Sequence, residues 1–245
     1  MNRIVLMYHD VYKSKPTESG LASDLYKIDI ETFNEHLAKI VKLKNDGHDI
    51  TLSFDDGGLS FYEPISNLLD KYGLKGVFFI STQYIDTPGF LTKNQISDIY
   101  KRGHLIGSHS HSHPDNMASL DSTAIKEEWE MSVRFLSDII KAPVKIASIP
   151  NGYQSSEILN NALQCGIEDL YTSCPTIKVK THGPMRLHGR YVVLSRTKVD
   201  DLEKLCRNNL YRKSLYMKYV LLSIPKSLLG DKYETIKNFV IGINQ

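Results

Sequence analysis

Two short stretches hold the residues of this chain best suited to chemistry. Ser53-Phe54-Asp55-Asp56-Gly57 carries adjacent carboxylates, and Ser108-His109-Ser110-His111-Ser112-His113-Pro114 carries histidines at alternate positions. Two imidazoles four residues apart, His109 and His113, together with one carboxylate are the ligand types of a catalytic zinc site. Such a site takes three protein ligands and keeps one position open for water. The other carboxylate is then available to take a proton. Successive side chains of a strand point to opposite faces, so the chain must bend, as Gly57 and Gly58 permit, for both carboxylates to reach one cleft. Asp-Gly is also an ordinary turn, and the histidine run also reads as a polar surface loop. If the two stretches meet in the fold, they predict a metal-dependent hydrolase. His111 is expected to point away or to support a ligand, and Ser110 to orient one by hydrogen bonding.

Two further positions fit such a reaction. Met7-Tyr8-His9-Asp10-Val11 places a histidine where a strand should end. Its near-neutral titration suits proton donation to a departing amine. Ser148-Ile149-Pro150-Asn151-Gly152-Tyr153 is a strong turn signal that could aim a backbone N–H at a developing oxyanion.

The elements that must position these residues follow from the hydrophobic pattern. Apolar runs at residues 4–8, 50–54, 75–80, 105–107, 144–149, 169–172 and 190–194 read as strands. Helical patterns fall at 32–44, 64–72, 91–102, 122–140, 155–164 and 200–208, with Thr92 and Gln95 forming a capping-box signature. Strands alternating with helices imply parallel pairing through right-handed crossovers. Seven units fit a closed or nearly closed β/α barrel, with a doubly wound open sheet as the alternative. In both, loops at the carboxyl ends of the strands build the site, and His9, Asp55, Asp56, His109 and Asn151 each follow a strand candidate.

The chain has 245 residues, 24% charged and 41% hydrophobic, with a net charge of +2, so nothing in the total calls for a nucleic-acid partner. Three cysteines without a Cys-x-x-Cys pair argue against a disulfide framework. His9 and Asp10 interrupt the first apolar run, so no signal peptide is read and a cytoplasmic location is expected. The pattern changes after residue 206. Residues 1–206 are read as a catalytic domain and 207–245 as a helical extension. Leu210-Tyr211-Arg212-Lys213-Ser214-Leu215-Tyr216-Met217 mixes basic, aromatic and aliphatic residues. It reads as a helix packed on the barrel, or as an amphipathic segment making peripheral membrane contact.

Together, Phe54-Asp55-Asp56-Gly57, Ile106-Gly107-Ser108-His109-Ser110 with His113, and Lys75-Gly76-Val77-Phe78-Phe79-Ile80 between them resemble the polysaccharide deacetylase family (carbohydrate esterase family 4). The resemblance runs from about residue 4 to 194. It implies a distorted (β/α)7 barrel and hydrolytic removal of N-acetyl groups from the amino sugars of a glycan. Carried over by position, Asp56, His109 and His113 resemble the metal triad, Asp55 the catalytic base, and the Asn151 N–H the oxyanion donor. The implied cation is divalent, with zinc the best fit to two nitrogens and a carboxylate. Ser148 and Ile149 stand where the family has an arginine before its proline, and Asn151 replaces an aromatic residue. No Leu-x-His motif follows Leu194. A permuted subgroup acting on poly-N-acetylglucosamine has its acid histidine in an N-terminal Tyr-His motif, which Tyr8-His9 resembles, so His9 takes the acid role. Arg190 is expected to replace the missing arginine beside Asp55 and keep it ionised. The expected substrate is an N-acetylated glycan, or a lipid- or nucleotide-linked sugar if, as read, no signal peptide is present. A weakly catalytic glycan-binding relative and a deacylase of another amide or ester remain the alternatives.

Overall fold

The computed structural model describes residues 3–14 and 19–222. The strands are β1 (Ile4–Tyr8), β2 (Val11–Tyr12), β3 (Ile28–Asp29), β4 (Ile50–Phe54), β5 (Gly76–Ile80), β6 (Leu105–Ser108), β7 (Ile146–Ser148), β8 (Asp169–Tyr171), β9 (Lys180–His182), β10 (Met185–His188) and β11 (Tyr191–Val192). The helices are α1 (Ile30–Asn45), α2 (Asn67–Lys71), α3 (Lys93–Lys101), α4 (Ser122–Ile140), α5 (Ser156–Gln164), α6 (Val199–Arg207) and α7 (Asn209–Leu222). Helix α7 lies within the expected C-terminal extension, whose continuation from 223 to 245 falls outside the described residues. No helix of the described residues is long and apolar enough to cross a membrane.

The main sheet runs β11-β1-β4-β5-β6-β7-β8-β10-β9, parallel throughout except for the β9–β10 hairpin. From β1 to β8 the order in space follows the order in sequence, with the pair β2 and β3 standing apart. A doubly wound sheet would reverse direction at a switch point, and this one does not. β10 pairs with β8 near one edge and β11 with β1 at the other, yet only residues 189 and 190 separate them in sequence. Three Cα steps reach at most about 11 Å. The sheet therefore curls until its edges nearly meet, which is the distorted β/α barrel expected from the sequence.

Parallel strands covered on both faces read as continuous apolar runs, and every residue of β1 and β5 is buried. Their alternation sorts the faces. Leu6, Tyr8, Leu52, Phe54 and Phe78 join α1, α2 and α3 in the main core, while Val5, Val77, Phe79 and Tyr171 fill the barrel interior. Trp129 of α4 centres a second cluster with α5.

The helix read from residue 64 does begin there, because Glu63 before Pro64 is extended (φ −141°, ψ 119°), as proline requires of its predecessor; its first turn through Ser66 is wider than α-helical, and α2 follows from Asn67. The strand read at 190–194 is reduced to Tyr191–Val192, and the β9–β10 hairpin had no counterpart in the sequence reading. The Thr92–Gln95 capping box at α3 is present with both of its hydrogen bonds.

Candidate metal centre

Each predicted site residue emerges at the carboxyl rim of the barrel. His9 follows β1, Asp55 and Asp56 follow β4, His109 and His113 follow β6, Asn151 follows β7, and Arg190 follows β10. His9, Asp55, Asp56, His109, His113 and Asn151 line one cleft of about 580 Å³. Backbone hydrogen bonds fix the turns that carry them: Asp55 N–H donates to the Tyr8 carbonyl (3.1 Å), Ser81 N–H to the Asp56 carbonyl (3.2 Å) and His109 N–H to the Ile80 carbonyl (3.0 Å).

Asp56 Oδ1 lies 3.5 Å from His109 Nε2 and 3.4 Å from His113 Nε2. Ligand atoms of the three residues all fall within 4.8 Å of one another. Two ligands bonded at about 2.1 Å to a tetrahedral ion stand roughly 3.4 Å apart, so the spacing and the N,N,O donor set both fit a divalent cation. The arrangement needs unusual backbone. Asp56 (φ 90°), Ser110 (φ 64°), His113 (φ 56°) and Asn151 (φ 54°) are four of the six non-glycine residues with positive φ among the described residues. Such conformations cost free energy and persist where the surroundings enforce them.

Neighbouring groups hold these three candidate ligands in place. With Nε2 turned to Asp56, the His109 Nδ1–H points to Ser148, 2.6 Å from its Oγ and 3.1 Å from its carbonyl oxygen. Ser110 Oγ accepts from the His113 N–H (3.1 Å). His111 turns to Thr82 Oγ1 (2.8 Å). The Glu128 carboxylate on α4 accepts from the N–H groups of His111 and Ser112 (both 2.8 Å) and from the Ser112 hydroxyl (2.6 Å), which clamps the loop between the two ligands.

Arg190 is fully buried and grips Asp55 with two parallel bonds, Nη1 to Oδ1 at 2.6 Å and Nη2 to Oδ2 at 2.8 Å. Its Nε donates to the Thr172 carbonyl (3.2 Å), and its guanidinium lies 5.5 Å from the centre of the Phe79 ring. Burial is the largest single influence and would raise the Asp55 carboxyl, but the charge and hydrogen bonds of Arg190, with His109 and His9, together outweigh it and hold the group below its ordinary value. Burial acts on Asp56 in the same way and is overcome by the hydrogen bonds from His109 and His113, so this carboxyl lies well below the usual range. Burial lowers His113, yet Asp56 leaves it net raised. For His9, burial wins over the pull of Asp56 and Asp55, and its pKa is lowered. The His9 ring packs on Tyr26 with centroids 4.9 Å apart.

Several residues that shape the site were not singled out by sequence reasoning. Glu128 sits in an acidic stretch of α4 indistinguishable from a solvated helix face. Ser148 was seen only as a departure from a pattern. Tyr26, and Tyr219 and Leu222 of α7, line the cleft from segments without any catalytic signal.

Residues 42–170 match the family model described as polysaccharide deacetylase. A chitin deacetylase of Arthroderma benhamiae is 35% identical over 98 residues, which cover 37% of this chain and 24% of that protein. The chain spans 24% to 50% of the length of the first three curated relatives it matches. Among solved structures, the Streptococcus pyogenes deacetylase PplD in complex with acetate superposes with a TM-score of 0.69 at 18% identity, over 83% of this chain and 97% of that one. IcaB from Ammonifex degensii superposes with a TM-score of 0.67 at 18% identity, over 86% and 97%. At these identities the superpositions show a shared fold.

Proposed function

The chain belongs to the polysaccharide deacetylase family, and on that premise we propose that it hydrolyses the N-acetyl groups of amino sugars in a glycan and releases acetate. One observation carries the reading: Asp56, His109 and His113 converge in the same cleft as an ionised Asp55 locked to Arg190. These three residues would hold the cation, and two imidazole nitrogens with one carboxylate favour zinc. Bound there, the ion would polarise the acetyl carbonyl and acidify the attacking water. Asp55 takes the proton from that water, and Arg190 fixes the carboxylate in its ionised form and orientation. The water oxygen bonds to the acetyl carbon while the Asn151 N–H faces the oxyanion. His9 then donates a proton to the sugar nitrogen as the C–N bond breaks, so the amine departs neutral, and the acid formed gives up its remaining hydroxyl proton to solvent to leave as acetate. Burial lowers the pKa of His9, so its protonated form is lost at a lower pH than that of an ordinary histidine. Turnover that depends on it should therefore already decline as pH rises toward neutrality.

The proposal covers polymers and short lipid- or nucleotide-linked sugars. Tyr219 and Leu222 of α7 support the apolar case, since they give one wall of the cleft a hydrophobic surface. Elemental analysis of the purified chain, combined with acetate release from chitooligosaccharides, poly-N-acetylglucosamine and acetylated sugar conjugates, tests the reading. Asp55→Asn should retain the metal and lose about 10²–10⁴-fold in turnover. His113→Ala should lose the metal itself. Glycan binding without acetate release from any substrate would favour a binding relative, and a fully active Asp55→Asn variant would remove the base assignment.

A further inference from the structure

Asp10 is a buried carboxyl group that the reaction above does not use. It follows His9 at the end of β1, on the rim that carries the site. Its Oδ1 accepts hydrogen bonds from the hydroxyls of Ser19 (2.9 Å) and Ser60 (2.6 Å). Ser60 Oγ in turn accepts from the Val11 N–H at 3.3 Å. Among the described residues the buried Asp10 Oδ2 has no hydrogen-bond partner. Two glycines from different loops press on the same group: a Cβ at Gly58 would stand 2.3 Å from Oδ1, and one at Gly20 would stand 2.1 Å from Oδ2.

These contacts join two parts of the cleft. Gly58 and Ser60 belong to the turn that carries Asp56. Ser19 and Gly20 open the segment 19–26, whose Leu21, Leu25 and Tyr26 wall the cleft, with Tyr26 packed on His9. A single carboxyl group thus touches both the metal-ligand turn and the wall facing it. We propose that Asp10 is a positioning residue that sets the distance between the 19–26 wall and the Asp56 turn, so that a bound glycan is held against the metal centre. The substrate part of this rests on the deacetylase reading; the placement of the wall does not. Among the described residues the hydrogen-bond donors to Asp10 are the hydroxyls of Ser19 and Ser60, from which an amide oxygen of the same shape can also accept, while the charges of Asp56 and Lys27 act on it in opposite directions.

Hydrogen–deuterium exchange and steady-state kinetics on the metal-loaded full chain test this. Asp10→Ala should speed amide exchange across residues 19–26 by about tenfold or more while the 109–113 loop stays as in the native chain. It should raise KM for acetylated oligosaccharides about tenfold and change kcat by less than about threefold. Asp10→Asn keeps the shape and the acceptor, and should return exchange and KM to within about threefold of native. Unchanged exchange at 19–26 in Asp10→Ala, or an Asp10→Asn variant as impaired as the alanine one, would overturn the proposal. Should Asp10→Ala fail to fold, Ser19→Ala removes one donor and leaves the carboxyl; exchange at 19–26 must then rise about threefold, and native-like exchange counts against the proposal. Because exchange is read without turnover, a chain that deacetylates nothing refutes the deacetylase reading and leaves the exchange data to decide this one.

Discussion

The two rims of the barrel treat charge in opposite ways. At the amino rim, where the strands begin, Arg3 pairs with Asp49 and Lys145 with Glu168, and the Lys145 and Glu168 side chains remain 54% and 55% exposed. At the carboxyl rim, the Arg190 and Asp55 side chains are 0% and 4% exposed, and Asp56, His109 and Asp10 are buried beside them. Taking a charge pair out of water carries a desolvation cost that its attraction repays only with good geometry, and apolar residues of the same volume are often as stable. The buried pair is therefore poor evidence of stabilisation. It is what a site needs when a carboxylate must stay ionised, oriented and shielded from competing water, and the rest of the fold carries the cost.

Breaking the buried pair should have the largest effect on stability. Arg190→Ala leaves Asp55 buried without a partner and should cost about 3–5 kcal/mol in urea unfolding. Arg190→Lys should recover only part of this, because an ammonium cannot supply two parallel bonds to one carboxylate. A loss below about 1 kcal/mol in the alanine variant would place this pair in the same class as the surface ones and erase the contrast between the rims.

How far the sequence foretold this rim depended on the kind of signal. Asp55, Asp56, His109 and His113 stood out because few residue types bind metal and their spacing falls at strand ends. The alternation of strands and helices gave the barrel for the same reason, since hydrophobic period is a local property. The pairing of Arg190 with Asp55 spans 135 positions, and no local pattern encodes it; it was reachable only through the family resemblance, whose arginine before the proline is missing here. Glu128 was not legible because its role depends on the loop folding back onto α4. The β9–β10 hairpin escaped because the residues of Lys180–His182 are exposed or half-buried and lack an apolar alternation, although Gly183-Pro184 marks the turn. Ser110 and His113, with positive φ, were legible as residues and not as conformations, because tertiary contacts impose that strain.

Asp10 sharpens the contrast, because it is buried on the same rim and, among the described residues, accepts hydrogen bonds only from hydroxyls. Burial raises its pKa from 3.8 to about 6. Between those values the folded chain keeps a proton that the unfolded chain has released. Its contribution to stability is thus complete below about pH 3.8 and is lost as pH rises through about 6. A shift of two units corresponds to about 3 kcal/mol. Asp10→Asn escapes that loss, so its unfolding free energy should gain on the native chain progressively from pH 4 to pH 7, by up to about 3 kcal/mol. A difference that stays constant across this range would mean that the buried carboxyl titrates normally.

The smallest effect belongs to the amino rim. Lys145→Ala removes a 2.6 Å contact with Glu168, shorter than many bonds in the site, yet the change in unfolding free energy should stay within about 0.2–1 kcal/mol. Water replaces the lost partner at once, and ordering two long side chains had already consumed much of the Coulomb gain. Salt separates the two cases further. Screening at about 0.5 M should shrink the Lys145→Ala effect toward zero, while the cost of Arg190→Ala should barely move, since mobile ions do not enter a sealed pair. If both costs fell together with salt, the carboxyl-rim pair would be hydrated in solution, and the reason for regarding Asp55 as a shielded base would go with it.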